Sequence, residues 1–205
     1  MPARQRNPRG EGGRLRADLL AGAQRILERT GNEDDVTLRA VAREAGVSAP
    51  SIYAHFPDSA AIVHALVQQT FEELSSVLRD ARDRAAAADR LLAICLSYVR
   101  FGLDQPERYL TLFERRRGIE RTQQLMAEGR RFAETRGAVA FTILSDAVAE
   151  FDGQNPTPVD DAALLWAALH GYVTLRASSP NFPWFGDEES VCRALVDRLR
   201  RPHRE

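Results

Sequence analysis

Apolar residues recur at helical spacing along nearly the whole chain. Leu15, Leu19, Ala23, Ile26 and Leu27 lie three or four apart and predict a first helix over about 14–30. Gly31 followed by Asn32 stops it, as a left-handed C-cap does. Thr37 is a good N-cap for a short helix over about 38–44. Gly46 breaks the chain, and Ser48 caps a second short helix over about 49–54. Pro57 and Asp58 then open a long helix reaching about Asp80. Leu92, Leu96 and Val99 share one face of a helix over about 89–103. Pro106 sits near the start of the next helix, where its missing N–H costs nothing. Residues 121–151 read as one long helix or as two joined near Gly137, and Gly153–Pro158 as a loop. Thr157, Pro158 and Asp160 supply an N-cap, an N1 proline and a first-turn acid for a helix ending at about Ala177. Ser179–Gly186 is an aromatic-rich loop. Asp187 caps a last helix whose final turn carries Arg198, Arg200 and Arg201, matching the helix dipole. No strand alternation and no repeat period interrupts this pattern, so the expected class is all-α.

Composition narrows the picture. The 205 residues are 44% hydrophobic, enough for one large core or two small ones. All 28 basic residues are arginine, a bias that points to a GC-rich bacterial genome. The formal net charge is −1, so the chain as a whole is not a basic nucleic-acid binder. Its distribution matters more. Arg4, Arg6, Arg9, Arg14 and Arg16 face only Glu11 in the first 16 residues. Residues 1–13, rich in Pro and Gly, read as a mobile arm. Cys95 and Cys192 lie in apolar periodic segments without paired spacing, which argues against a disulfide framework or zinc site and fits a reducing cytoplasm. The arginine-rich start lacks the apolar stretch of a signal peptide, and no run of about 18 apolar residues exists to span a membrane.

Leu38–Phe56 reads LRAVAREAGVSAPSIYAHF, and its spacing suits a helix-turn-helix. Ala42 falls where two short helices would nearly touch. Gly46, four residues on, falls at the turn, where positive φ favours a residue without Cβ. Val41, Ala45, Val47 and Ile52 point inward. Ser48 starts the second helix, whose first turn would project into a major groove. The competing reading is an ordinary helical hairpin in a core, against which the small–Gly–apolar spacing and the caps agree.

With these residues in view, the stretch Leu15–Leu66 resembles the N-terminal pattern of the tetracycline-repressor (TetR) family. Thr37, Leu38, Ala42, Ala45, Gly46, Val47, Ser48, Tyr53, His55, Phe56 and Pro57 carry the likeness. It implies three DNA-binding helices, a connecting fourth, and a larger helical domain for ligand binding and dimerisation. The implied layout is an arm over 1–13, a helix-turn-helix domain over 14–60 and a ligand-binding and dimerisation domain over 61–205. It also implies roles. Thr37 offers a hydroxyl and a helix N-terminus to phosphate. Arg39 reaches a base edge or phosphate. Ser48, Ala49, Pro50 and Ser51 form the first turn of the recognition helix and offer apolar contact to thymine methyls. Tyr53 and His55 match positions that contact phosphates, with a packed aromatic as the other reading of Tyr53. Phe56 belongs to the core. The sequence departs from the family at Ser59, where a phosphate-binding Lys often stands. The arginine-rich arm, if it enters the minor groove rather than staying a solvated tail, would compensate.

In the second half, PERYLTLF (Pro106–Phe113) and WAALHG (Trp166–Gly171) resemble a TetR subgroup with a Trp-x-x-x-His-Gly element. Trp166 and His170 are four apart and share a helix face, and Gly171 is expected to let another helix approach. The two rings either line a mostly apolar pocket or are core residues with a satisfied ring nitrogen. Leu96, Val99, Phe113, Phe141, Trp166 and His170 are the candidate walls. The helices over about 158–177 and 187–200 either pair with their twins in a four-helix dimer interface, as the resemblance implies, or close the monomer's core.

Enzymatic signatures are lacking. His55, His64, His170 and His203 form no HExxH pair, and no GxSxG elbow, P-loop or dinucleotide fingerprint occurs. Asp146 and Glu150 read as a solvated pair. No catalytic residue, metal or cofactor is expected. The expected partners are an operator duplex, a small-molecule effector and a second copy of the chain. Repression is the family default. The runner-up reading is a helical binding or adaptor protein that no longer engages DNA.

Overall fold

The computed structural model describes residues 11–113, 120, 123–124, 127, 136–179, 181–184 and 186–200. Among these residues the regular structure is helical, with no strand. The helices are α1 (Glu11–Thr30), α2 (Leu38–Glu44), α3 (Ala49–Ile52), α4 (Ser59–Arg84), α5 (Arg90–Asp104), α6 (Pro106–Phe113), α7 (Arg136–Phe151), α8 (Pro158–Ser178) and α9 (Glu188–Asp197). The chain divides into two compact units, one of residues 1–67 with 113–129, the other of residues 68–112 with 130–205.

The first unit packs α1, α2, α3 and the start of α4 around one apolar cluster. Leu19, Ala23, Ile26 and Leu27 of α1 meet Val36, Val41, Ile52, Phe56, Ile62 and Leu66. Helix α1 starts at Glu11, inside the stretch read as an arm, because glycine at 12 and 13 weakens a helix without forbidding one. It stops at Gly31, whose φ of 65° lets its N–H reach the Leu27 carbonyl at 2.8 Å. Asp58 opens α4 as expected, its Oδ1 accepting the Ala61 N–H at 2.7 Å, and the helix runs past Asp80 to Arg84.

In the second unit, α5 buries Leu91, Ile94, Cys95, Tyr98 and Val99, and α7, α8 and α9 pack against it. A close approach expected at Gly171 falls elsewhere. A Cβ on Gly171 would meet nothing within 4 Å, whereas one on Gly102 would stand 2.5 Å from Val173 Cγ1. Thr157 holds the N-cap position of α8 without a side-chain cap bond. Asn155 orders this entry instead, accepting the Thr157 N–H and donating to Asp161, both at 2.9 Å. Asp187 does cap α9, accepting the Ser190 N–H at 2.9 Å. That helix ends at Asp197, so Arg198 and Arg200 follow it rather than fill its last turn. Arg198 still bonds the Ala194 carbonyl. Arg201, residues 1–10 and most of residues 121–135 lie outside the described residues.

Candidate nucleic-acid interface and effector site

The turn between α2 and α3 follows from four residues. Thr37 Oγ1 accepts the Ala40 N–H at 3.1 Å and fixes where α2 begins. At the other end Gly46 has φ 68°. Its N–H bonds the Arg43 carbonyl at 3.1 Å, and the Val47 N–H bonds the Ala42 carbonyl at 2.9 Å. This paired arrangement is a Schellman motif, and only the left-handed glycine allows it cheaply. Glu44 ties α2 to α1 through Arg25 at 3.0 Å and Arg29 at 3.3 Å. The hydrogen bond from Arg25, ahead of the charge of Arg29, holds the Glu44 carboxyl below its ordinary value.

Helix α3 is shorter than expected, ending at Ile52 rather than 54. The Ile52 carbonyl accepts both the His55 and Phe56 N–H groups at 2.9 Å, which turns the chain back toward the core. Ser48 stands at the N-cap without a capping bond; its hydroxyl shares a 2.8 Å hydrogen bond with that of Ser51. Ile52 is completely buried, while Tyr53 beside it is 58% exposed, so Tyr53 is not a packed aromatic. Phe56 takes that role at 2% exposure, with the Arg16 guanidinium 5.0 Å from its ring centre. Thr37, Arg39, Ser48, Pro50 and Tyr53 are exposed, and Ala49, Ser51 and His55 half-buried. All eight sequence-predicted DNA contacts therefore belong to the first unit, on or beside α2 and α3.

In the second unit, Phe141 of α7 lies against Trp166 of α8 with ring centres 5.5 Å apart. Leu96 is half-buried and Val99 fully buried on α5. Phe113, half-buried at the end of α6, belongs to the first unit. Two tyrosines absent from the sequence-predicted set complete the site. The Tyr98 and Tyr109 hydroxyls are 2.9 Å apart, and the Tyr109 hydroxyl is 2.7 Å from His170 Nδ1. Trp166 packs edge-on against Tyr98, with ring centres 5.7 Å apart. A polar chain thus runs from Tyr98 on α5 through Tyr109 on α6 to His170 on α8. Burial, first, pushes both phenols above the ordinary tyrosine range. For Tyr98 the neighbouring Tyr109 adds to this and the indole opposes it. A signal for the tyrosines existed: both sit on apolar helix faces, and a buried tyrosine needs a partner for its hydroxyl.

Beyond the relay, Trp184 folds onto α8. Its ring meets Tyr172 at 5.3 Å, and its indole donates to the Ser179 carbonyl at 3.1 Å. Cys95 and Cys192 are free and buried. Burial, then the charge of Glu188, pushes the Cys192 thiol up to about 12.

This is a helical regulator that presents a helix-turn-helix for DNA and carries a second helical domain. The profile described as bacterial regulatory proteins, tetR family, matches residues 19–66. The one described as tetracyclin repressor-like, C-terminal domain, matches residues 91–199. The chain belongs to the TetR family of transcriptional regulators, which bind DNA and are not enzymes. An uncharacterised helix-turn-helix-type transcriptional regulator of Mycobacterium tuberculosis is 28% identical over 162 residues, covering 78% of this chain and 69% of that protein. A protein of unknown function from Rhodococcus sp. RHA1 superposes with a TM-score of 0.71 at 26% identity, over 95% of this chain and 97% of its own. A TetR family transcription regulator from Marinobacter aquaeolei shares the fold, with a TM-score of 0.67 at 16% identity over 93% and 97% of the two chains. No helix among the described residues is long and apolar enough to cross a membrane.

Proposed function

We propose that this regulator is a cytoplasmic homodimeric repressor, released from its operator by a small, mostly apolar effector. Residues 14–60 form the DNA-binding domain and 61–205 the ligand-binding and dimerisation domain. Thr37, Arg39, Ser48, Ala49, Pro50, Ser51, Tyr53 and His55 meet the operator, with the arginines ahead of α1 reaching the flanking minor groove. Dimerisation runs through α8 and α9. Its support is the apolar surface that α8 leaves open, with Val159 57%, Leu164 69% and Leu175 48% exposed.

The observation that carries the effector reading is the half-buried pair Trp166 and His170, one helical turn apart, with Phe141 of α7 and Tyr98 of α5 against the indole. A partly open aromatic surface with a few fixed polar groups is the usual make-up of a small-molecule site. We also infer that the chain belongs to a subgroup carrying the Trp-x-x-x-His-Gly element, on the strength of that stretch of sequence. An effector shifts DNA binding only by preferring one conformation, and the coupling is reciprocal, typically about 5- to 150-fold. The test is a gel shift against DNA flanking the protein's own gene, run across a compound library. Trp166→Ala is expected to lower the effector response while operator binding without effector stays intact. A large fall in melting temperature with no selective loss of response would make Trp166 a core residue and defeat the assignment.

A further inference from the structure

One arginine of the first unit is held by a ring where its neighbours are held by a carboxylate. Helix α1 carries Arg16, Arg25 and Arg29. Glu44 takes Arg25 and Arg29. Arg16, nearer the start of the helix, lies over the Phe56 ring, 5.0 Å from its centre. It is exposed, and among the described residues no carboxylate and no hydrogen-bond acceptor holds it. Asp58, two residues past the ring, turns its Oδ1 onto the Ala61 N–H. A ring face attracts a cation without taking up any of its hydrogens. All the N–H donors of the Arg16 guanidinium therefore remain for another partner.

The ring also decides where those donors stand. The Phe56 N–H bonds the Ile52 carbonyl at 2.9 Å, so Phe56 lies one turn beyond the last residue of α3. Its side chain is buried in the core of the first unit. Phe56 thereby fixes a cation beside the corner that Tyr53 and His55 make, where Tyr53 is 58% exposed. The planar fork of a guanidinium matches two oxygens of one phosphate.

We propose that Arg16 is a DNA-binding residue: seated on Phe56, it donates to a backbone phosphate beside the end of α3. Phe56 is then a positioning residue as well as a core one. This rests on the reading of α2 and α3 as the operator face, and adds to it a contact from inside α1, separate from the arginines ahead of that helix.

Phosphate contacts carry no sequence information, so the test does not need the operator. The full-length protein is titrated by fluorescence anisotropy onto two labelled duplexes of unrelated sequence, each of about 20 base pairs or two helical turns, across a salt series. The variants are Arg16→Gln, Arg16→Lys, Tyr53→Ala and Arg29→Gln, the last removing the same charge from the other end of α1 while Arg25 keeps Glu44. Arg16→Gln is expected to weaken binding about 10-fold on both duplexes. It should also flatten the slope of log K against log salt by about 0.9 for each protomer bound. Arg16→Lys should keep the slope and recover part of the affinity, and Arg29→Gln should change neither. An unchanged slope in Arg16→Gln, an equal flattening in Arg29→Gln, or a weakening on one duplex only overturns the phosphate contact. So does a lower melting temperature in Arg16→Gln with the parental slope, which makes Arg16 a structural residue. Tyr53→Ala separates this inference from the wider reading. If Tyr53→Ala weakens binding and Arg16→Gln does not, the Arg16 contact alone fails. If neither weakens binding, the operator face fails and the inference with it.

Discussion

Gly102 and Val173 touch where α5 crosses α8, and a Cβ added to Gly102 would lie 2.5 Å from Val173 Cγ1 and 3.0 Å from the Tyr109 ring. No real Cβ sits that close, so Gly102→Ala must push α8 or the Tyr109 ring aside. The expected cost is about 1–3 kcal/mol, as for other overpacked sites. Gly22, inside α1, is the contrast. Its added Cβ would reach Ala45 N and Val41 O at 3.5 Å, ordinary contact. Gly22→Ala is therefore expected to be neutral or to stabilise by up to about 1 kcal/mol through helix propensity. Urea unfolding of the two variants checks both signs.

Neighbouring residues at the end of α3 should separate folding from DNA binding. Ile52 is completely buried and Tyr53 is 58% exposed. Ile52→Ala is expected to cost about 2–5 kcal/mol of stability. Tyr53→Ala should stay within about 0.5 kcal/mol of the parent yet weaken operator binding by a similar factor on every sequence, since phosphate contacts position without specifying. An altered preference at one base pair in Tyr53→Ala would reassign that residue to base reading. Melting curves and a binding-site selection together decide this.

Alkaline pH should destabilise the second unit through its buried acids. Burial raises the Cys192 thiol from 9.0 to about 12 and also raises Cys95, Tyr98 and Tyr109. Below pH 9.0 the Cys192 thiol is neutral in folded and unfolded chains alike, so its contribution is complete there. Above it the unfolded chain ionises while the folded one resists, and stability falls until the folded thiol titrates near pH 12. The loss for one such group approaches about 1.4 kcal/mol per pH unit. Urea midpoints at about pH 8 and about pH 10.5 should therefore diverge, and diverge less in Cys192→Ala. Identical pH slopes in parent and variant would remove Cys192 from this account.

These expectations mark where sequence alone reaches. Caps and turns are local, and Thr37, Gly31, Gly46, Asp58 and Asp187 act within three or four residues of themselves, so their roles were legible. The end of α3 was not, because Tyr53 and His55 are compatible with a longer helix, and it is the burial of Phe56 that turns the chain. The glycines show the same limit. Whether a missing Cβ matters depends on what lies opposite, and the pattern around Gly171 carried no information that Val173 would face Gly102 instead. For the candidate site, Trp166 and His170 were legible as an i, i+4 pair. Tyr98 and Tyr109 were legible only as buried tyrosines that need a partner, not with their partners, since Tyr109 and His170, 61 positions apart, meet only in the folded chain.

The relay itself should behave as one unit. Tyr98→Phe removes the hydroxyl that bonds Tyr109; Tyr109→Phe removes the one hydroxyl that bonds both Tyr98 and His170. Each single substitution keeps the ring and its edge-on packing at 5.9 Å between the tyrosines, so the loss is polar, about 1–3 kcal/mol for a buried group left unmatched. The double variant does not add these losses. With both hydroxyls gone, no tyrosine proton is stranded, and only the His170 nitrogen has lost its bond to a tyrosine. Its cost should fall short of the sum by about 0.5–3 kcal/mol, the range for residues in one network. A double-mutant cycle by urea unfolding measures that difference. Strict additivity would mean the three side chains make independent bonds, and the tyrosines would then be ordinary core residues that happen to touch.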